Sequence, residues 1–185
     1  QPDKPAGRGL TLSAPPVKVF ALENNLNFFQ PKFLKKLICK SEHGHKTLSV
    51  AENCQDSELI AFVEHSAKYK QIDILLTAAY GNIIPAALLE YPNYGGLNIH
   101  PSLLPRWRGA APLQYTIFAG DRTAGVSLMQ VDEGLDTGAV YLQEQIVLAN
   151  NETTGSLHNK LSELGAKMLL PSLAKIMSGE LTAKA

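Results

Sequence analysis

The sequence predicts an α/β fold in which helices flank a mainly parallel sheet, and three observations support this prediction. Segments with helical and with strand periodicity alternate along most of the 185 residues. The run 72–79 is short and almost continuously apolar, as strands buried on both faces are. A hydrophobic content of 45% is enough for one sizeable core at this length.

The first half of the chain has the weaker element signals. Prolines and glycines in residues 1–16 predict a long loop. Pro16 is expected to begin a helix that ends at the turn Asn24-Asn25, and a short strand is expected around 27–29. The lysine-rich stretch 32–55 predicts an irregular or helical surface insert. A helix capped by Asp56 or Ser57 then extends to about residue 70.

The second half has clearer patterns. Pro85 opens a short helix, 95–100 reads as a strand, and 111–119 reads as a helix. Two further strands, 125–131 and 139–148, flank a glycine-rich turn. The last element is an amphipathic helix with apolar residues at helical spacing, namely Leu157, Leu161, Leu164, Met168, Leu169 and Leu173.

Composition excludes several classes of protein. Lys and Arg total 17, as do Asp and Glu, so neither a strongly basic nucleic-acid protein nor an acidic tail is indicated. No apolar run approaches the roughly 18 residues that a membrane helix needs. The two cysteines, Cys39 and Cys54, form neither a disulfide framework nor a redox pair, which favours a reducing compartment. Dinucleotide, Walker and serine-hydrolase motifs are missing from the printed sequence.

One strand end carries the best candidates for chemistry. Asn98 and His100 are two residues apart on a predicted strand, so their side chains share one face. Ligands of open α/β sheets bind beyond the carboxyl ends of the strands, where this pair lies. A turn farther along, 132–138, holds three acids, and its carboxylates could reach His100. Both features also fit a structural reading, as backbone-satisfied polar groups and an ordinary turn.

A family resemblance follows from these residues. The run Asn98-Ile-His-Pro-Ser-Leu-Leu-Pro-Arg-Trp-Arg-Gly-Ala-Ala-Pro112, with Gly134-Leu-Asp-Thr-Gly138 downstream, resembles the folate-dependent formyltransferases. Its Arg-Trp-Arg-Gly-Ala-Ala-Pro part is similar to the methionyl-tRNA formyltransferases in particular. The similarity covers nearly the whole chain and is weakest in residues 32–70.

The resemblance implies a Rossmann-like fold and a set of site residues. The catalytic trio is Asn98, His100 and Asp136. Asn98 and protonated His100 are expected to stabilise charge on the formyl oxygen, while Asp136 keeps the imidazole charged and oriented. The loop expected to bind 10-formyltetrahydrofolate, the formyl donor, is formed by Ser102, Leu103, Leu104 and Pro105. The expected tRNA contacts are Lys4, Arg8 and Lys18. No metal is expected.

The resemblance also implies a reaction and a domain plan. The expected reaction formylates initiator methionyl-tRNA for translation, in the cytoplasm of bacteria or in an organelle, with no membrane or DNA partner. Residues 1–180 are expected to be a catalytic domain that lacks the family's first strand-helix-strand. Residues 181–185 would begin the linker to a carboxyl-terminal barrel domain. The alternatives are a sugar-nucleotide formyltransferase, a 10-formyltetrahydrofolate hydrolase, and an inactive folate- or RNA-binding fragment.

Overall fold

The structure, a computed structural model, describes residues 3–6, 10–32, 34–42, 45–68 and 72–184. The chain forms two compact units. The first contains Gln1–Ile72 and Ile84–Tyr91, and the second contains Asp73–Ile83 and Pro92–Ala185. Among the described helices, none combines the length and the apolarity that crossing a bilayer requires.

Among its described residues, the first unit contains two small hairpins, three α-helices and a short 3-10 helix, Leu34–Lys36. The strands β1 and β2 pair in one antiparallel sheet, and β3 and β4 pair in another. The elements are β1 (Lys4–Ala6), β2 (Thr11–Ser13), α1 (Pro16–Glu23), β3 (Leu37–Glu42), β4 (His45–Val50), α2 (Ser57–Ser66) and α3 (Ala86–Glu90). The predicted helix starts at Pro16 and at the Asp56 cap are confirmed, since Asp56 accepts a hydrogen bond from the Leu59 backbone N–H at 3.3 Å.

Four expectations for this unit are wrong. Residues 4–13 contain the β1–β2 hairpin and not only loop, because a two-stranded sheet tolerates Pro5, which cannot donate to a ladder. The stretch 32–55 holds the β3–β4 hairpin. Along β3, Leu37 is buried, whereas Ile38 and Lys40 are exposed on the opposite face. Residues 27–29 form no strand, and helix α2 ends at Ser66 and not near residue 70.

The second unit is built on a four-stranded sheet. Its strand order is β5-β6-β7-β8, with β5 and β6 parallel and the other two pairs antiparallel. The elements are β5 (Leu75–Thr77), β6 (Gly96–His100), α4 (Pro112–Phe118), β7 (Thr123–Val131), β8 (Val140–Val147) and α5 (Thr154–Met177).

This sheet confirms the predicted α/β class and shows which of its strands are parallel. The parallel part lies in the β5–β6 pair, because the glycine-rich turn after β7 makes β7 and β8 a hairpin and β7 runs opposite to β6. The strand predicted over 72–79 covers three residues, and its Leu76 is 43% exposed, so the expected burial on both faces is wrong. In the described sheet β5 is an edge strand with one partner.

The core of this unit lies between the sheet and helix α5. Buried side chains of β7, including Val126 and Leu128, pack with Leu157 and Leu161 of α5. Helix α5 passes close to β6 at Gly165, where an added Cβ would lie 2.8 Å from the Ile99 Cγ2 methyl. The apolar stripe predicted for this helix therefore faces the sheet, as the spacing indicated.

Gly125 in β7 is a position where the sheet admits no side chain. An added Cβ would lie 2.2 Å from the Glu144 carbonyl oxygen and 2.5 Å from the Leu103 Cδ2 atom. We expect Gly125→Ala to lower the free energy of unfolding by about 1–3 kcal/mol, the usual cost of overpacking. Urea unfolding measures this difference.

Gly155 provides the matched control. It is exposed in the first turn of α5, and its added Cβ would meet nothing nearer than the Thr153 Oγ1 atom at 3.9 Å. Gly155→Ala should leave stability unchanged or raise it by up to about 1 kcal/mol, because alanine favours helix. Equal losses in the two variants would show that the contacts around Gly125 are not the cause.

A carboxylate at the start of α5 makes stability depend on pH. Glu152 accepts hydrogen bonds from the Lys160 ammonium group, at 2.6 Å, and from the Ser156 hydroxyl, and these lower its pKa from 4.5 to about 2. As the pH falls, the Glu152 carboxylate therefore takes up a proton at a higher pH in the unfolded chain than in the folded chain. The stabilisation by Glu152 is complete above about pH 5 and is lost between pH 4.5 and about 2.

We expect Glu152→Gln to flatten the pH dependence of stability between pH 2 and pH 5. The difference in melting temperature between parent and variant should be largest near neutral pH and shrink as the pH approaches 2. Glu180→Gln, which removes an exposed carboxylate near the end of α5, is the control. A parent–variant difference that does not change with pH would contradict the assignment.

Candidate active site

Strand β6 presents the predicted pair of side chains at its carboxyl end. Asn98 and His100 lie on one face of the strand, while Ile99 between them points to Gly165 of α5. The strand is central in the described sheet, with β5 on one side and β7 on the other. Asn98 is therefore paired on both sides, with Thr77 of β5 and Met129 of β7, whereas His100 is paired with Ser127 of β7.

The side-chain amide of Asn98 has a defined orientation. The Thr77 hydroxyl donates to the Asn98 Oδ1 atom at 3.0 Å, from the neighbouring strand β5. The Asn98 Nδ2 atom therefore points the other way and donates to the Asp136 Oδ1 atom at 3.4 Å. This last contact is long, so the amide N–H can be redirected to a ligand at small cost.

His100 is buried and has an acceptor near each ring nitrogen. Its Nε2 atom lies 3.0 Å from the Trp107 carbonyl oxygen, and its Nδ1 atom lies 3.5 Å from the Asp136 Oδ2 atom. A carbonyl oxygen can only accept, so Nε2 carries the proton in this arrangement. The His100 side chain is 5% exposed. Because Nε2 is bound to the Trp107 carbonyl, Nδ1, which faces Asp136, is the ring nitrogen that can take part in catalysis.

Asp136 is the group that connects the site. Its Oδ2 atom accepts a hydrogen bond from the Gly109 backbone N–H at 2.8 Å, and it also faces Asn98 and His100. Two predicted catalytic residues of β6 and a third from the turn after β7 are thus brought together. The carboxylate has an amide, an imidazole and a backbone donor around it, a set suited to holding its negative charge in one orientation.

The turn that carries Asp136 is held by a second carboxylate. Asp132 accepts hydrogen bonds from the Thr137 hydroxyl at 2.8 and 2.9 Å and from the Gly134 N–H at 3.1 Å. Asp136 has a φ of 52°, in the left-handed region that Asp and Asn adopt more readily than most residues. An added Cβ at Gly138 would lie 2.0 Å from the Gln130 carbonyl oxygen, so glycine is required there.

The loop predicted to bind folate follows β6 directly. Ser102 and Leu104 are buried, Leu103 is half-buried, and Pro105 is exposed. The Ser102 hydroxyl donates to the Arg106 carbonyl at 2.7 Å, so it shapes the loop from within. Within this loop, Leu103 and Pro105 are the residues that a ligand can reach.

Two side chains of the adjacent strands hold this loop in place. Ser127 of β7 donates from its hydroxyl to the Ser102 carbonyl at 2.6 Å and accepts from the Leu104 N–H at 3.2 Å. Gln143 of β8 donates to the Leu104 carbonyl at 2.9 Å and to the Ser127 hydroxyl at 2.8 Å. The loop is thus preorganised by the sheet behind it.

The residues predicted to contact tRNA belong to the first unit and are described less completely. Lys4 lies in β1, and Arg8 lies outside the described residues. Lys18 of α1 forms an ion pair with Asp3, its Nζ atom lying 2.8 and 2.9 Å from the two carboxylate oxygens. The Lys18 and Gln30 side chains lower the pKa of the Asp3 carboxyl by donating to it.

Sequence reasoning missed several groups at the site. Thr77 orients Asn98, the Trp107 carbonyl faces His100, and the Gly109 N–H donates to Asp136. The two backbone groups carry no signal in side-chain patterns, and Thr77 is one threonine in an apolar strand. In the described part of the chain, no group of three His, Cys, Asp or Glu residues could hold a metal ion.

The comparisons with known proteins agree with this geometry. A family model described as formyl transferase matches residues 1–173. The methionyl-tRNA formyltransferase of Aromatoleum aromaticum is 43% identical over 183 residues, which are 99% of this chain and 50% of the relative. The chain spans about half the length of the curated relatives it matches.

Solved structures with the same fold are also formyltransferases. The phosphoribosylglycinamide formyltransferase of Bacillus halodurans has a TM-score of 0.55 at 30% identity, over 68% of this chain and 63% of that chain. The formyltransferase PseJ of Anoxybacillus kamchatkensis, solved with UDP-4,6-dideoxy-4-formamido-L-AltNAc and tetrahydrofolate, has a TM-score of 0.57 at 27% identity, covering 64% and 62%. The expected Rossmann-like formyltransferase fold is confirmed. With the family model matched over nearly the whole chain, this protein belongs to the formyl transferase family.

Proposed function

We propose that this chain carries the catalytic site that transfers the formyl group of 10-formyltetrahydrofolate to the amino group of methionyl-tRNA. The observation that supports this most directly is the Asp136 carboxylate, with Asn98, His100 and the Gly109 N–H arranged around it at the end of β6. The methionyl-tRNA formyltransferases at 42–44% identity favour this acceptor. Residues 1–180 form the proposed catalytic domain, and bacterial cytoplasm is its proposed location.

The proposed chemistry follows from the charge that develops during the reaction. The methionyl amine attacks the formyl carbon, the carbon–oxygen double bond becomes an oxyanion, and the bond from carbon to N10 of the folate then breaks. Asn98 Nδ2 and the Nδ1–H of protonated His100 are the donors that stabilise the oxyanion. Asp136 accepts the proton lost by the amine and passes it to N10 as the carbon–nitrogen bond breaks, so the carboxylate is regenerated. Formylmethionyl-tRNA and tetrahydrofolate are the products.

The donor binds at the loop after β6 in this proposal. Ser102, Leu103, Leu104 and Pro105 form one wall, with Leu103 and Pro105 supplying the accessible apolar surface. Folate places a flat ring system and an amide-linked chain against such a wall. The rigid support from Ser127 keeps the wall at a fixed distance from Asn98, which favours a reactive position of the formyl carbon.

The experiment that tests this function compares formyl acceptors. The full natural protein is incubated with 10-formyltetrahydrofolate and either initiator methionyl-tRNA, uncharged tRNA, an amino sugar nucleotide, or buffer alone. Formylmethionyl-tRNA formation with the first acceptor only is the expected result. Turnover restricted to the amino sugar nucleotide, or loss of the formyl group to water, would replace this function by one of the alternatives.

The proposed contact of Lys18 with tRNA has its own test, because Asp3 already pairs with this lysine. If Lys18 binds phosphate, Lys18→Gln weakens tRNA binding and lowers the slope of log affinity against log salt by about one. The matched variant Asp3→Asn removes the competing carboxylate and should strengthen binding. Lys4 and Arg8 are also proposed to contact tRNA. A salt slope identical in the parent and both variants would exclude Lys18 as a contact.

A further inference from the structure

The segment after the folate loop is held by a carboxylate outside the catalytic trio. Asp121, three residues beyond α4, accepts from the Arg106 Nε and Nη2 atoms at 3.0 and 2.8 Å. It also accepts from the Trp107 indole Nε1–H at 2.8 Å. The Arg106 guanidinium, and then the Trp107 indole, lower the pKa of Asp121, which keeps the carboxylate charged at neutral pH.

The indole ring of Trp107 has two side chains packed against it. The Arg106 guanidinium carbon lies 4.1 Å from the indole centroid, and the Tyr115 ring of α4 stacks on the indole at 5.4 Å and an angle of 14°. Side chains packed against a ring restrict its rotation. Asp121 adds a hydrogen bond at the ring edge, so the position of the whole residue is defined.

The backbone at Trp107 needs this support. Its φ of 59° lies in the left-handed region, which is unfavourable for a bulky residue and persists only where surrounding contacts hold it. This conformation turns the Trp107 carbonyl towards His100 Nε2, at 3.0 Å. Two residues later the Gly109 N–H reaches Asp136 Oδ2 at 2.8 Å.

We propose that Asp121 is a positioning residue for formyl transfer, which acts on His100 and Asp136 through the backbone of Trp107 and Gly109. Asp121 fixes the indole, the indole fixes the Trp107 carbonyl, and the carbonyl holds the His100 proton on Nε2. The Nδ1 edge of the imidazole is then kept in register with Asp136. This inference rests on the proposed function for its kinetic effect, but its effect on the imidazole does not.

The test uses Asp121→Ala, Asp121→Asn and Trp107→Phe in the full natural protein. The alanine variant loses all three hydrogen bonds, the asparagine variant keeps size and one acceptor, and the phenylalanine variant keeps stacking but loses the indole donor. We expect Asp121→Ala to lower kcat about 10- to 100-fold, as misplaced catalytic groups do, with KM for both substrates within threefold. Asp121→Asn and Trp107→Phe should have smaller effects.

A spectroscopic readout separates positioning from general damage. At a pH at which the imidazole is neutral, the ¹⁵N spectrum of the parent should show His100 with a fixed proton on Nε2, and that of Asp121→Ala a mixture of the two tautomers. The Trp107 indole resonance, assigned by its loss in Trp107→Phe, should shift in both Asp121 variants. Glu180→Gln, which removes the carboxylate paired with Lys175 at the end of α5, is the matched control and should change neither signal.

The outcomes distinguish this inference from the proposed function. An unchanged His100 spectrum in a folded Asp121→Ala variant, or an unchanged kcat with an active parent, would overturn the positioning role. A change of the His100 tautomer in Asp121→Asn, which preserves the fold best, supports it even where the alanine variant melts. If the parent formylates no methionyl-tRNA while the tautomer still changes, the proposed function fails and the link from Asp121 to His100 stands.

Discussion

Asp136→Asn is expected to lower kcat for formyl transfer by about 10³-fold or more in the full natural protein. The carboxylate is the common acceptor of the Gly109 N–H, the Asn98 amide and the His100 Nδ1 edge. Asparagine has an NH₂ group in place of one carboxylate oxygen. At least one of these donor groups therefore faces another donor and loses its acceptor. The variant also loses the base proposed to accept the amine proton.

Asparagine is chosen so that a loss of activity is not caused by unfolding. Asp136 has a φ of 52°, which asparagine tolerates and alanine does not. The turn is held mainly by Asp132 through Thr137 and Gly134, and those contacts are untouched. Thermal melting within a few degrees of the parent is therefore expected.

Asp132→Asn is the matched control in the same turn. It makes the same chemical change four residues away, where the carboxylate holds the turn and faces no catalytic group in the contacts described above. We expect it to reduce kcat less than tenfold, and Asp136→Asn activity within tenfold of the parent would exclude the carboxylate from the mechanism.

Asn98→Ala is expected to lower kcat about 10²- to 10³-fold, the usual cost of one oxyanion donor. The Thr77 hydroxyl fixes the Asn98 amide so that Nδ2 points into the site. Because the negative charge exists only in the transition state, KM for both substrates should change little. Steady-state kinetics with each substrate varied in turn measure this split.

Two further variants sharpen this prediction. Thr77→Val removes the hydroxyl that orients the amide, so it should cause a smaller loss of kcat in the same direction. Asn93→Ala removes an exposed amide that donates to Asp73 at 3.1 Å in the same unit, and it should leave kcat unchanged. A loss confined to donor affinity in Asn98→Ala would assign Asn98 a binding role in place of a catalytic one.

Local patterns were sufficient to find the elements that carry the site. The alternation in 96–100 placed Asn98 and His100 on one face, and the helix spacing of Leu157 and Leu161 placed α5 against the sheet. Asp136 came from the resemblance of the turn 134–138 and not from periodicity. Its position beside His100 agrees with that assignment.

Other features could not be predicted from local patterns. The β3–β4 hairpin has Lys40 on its exposed face, and its pairing of Leu37 with Val50 joins residues 13 positions apart. The pairing of β1 with β2, whose partners are five to nine residues apart, likewise forms a hairpin despite Pro5. Strand formation depends on contacts with the partner strand, which composition does not show, so composition predicted loop or insert in both regions.

The sequence by itself determined the α/β class, the strand that carries Asn98 and His100, and the family to which the chain belongs. Only the tertiary structure decided which groups fix the imidazole and the carboxylate. The Trp107 carbonyl and the Gly109 N–H are backbone groups, and every residue has them, so no residue pattern marks the ones that are used. Their positions depend on the turn after Pro105 and on its hydrogen bonds to Asp121.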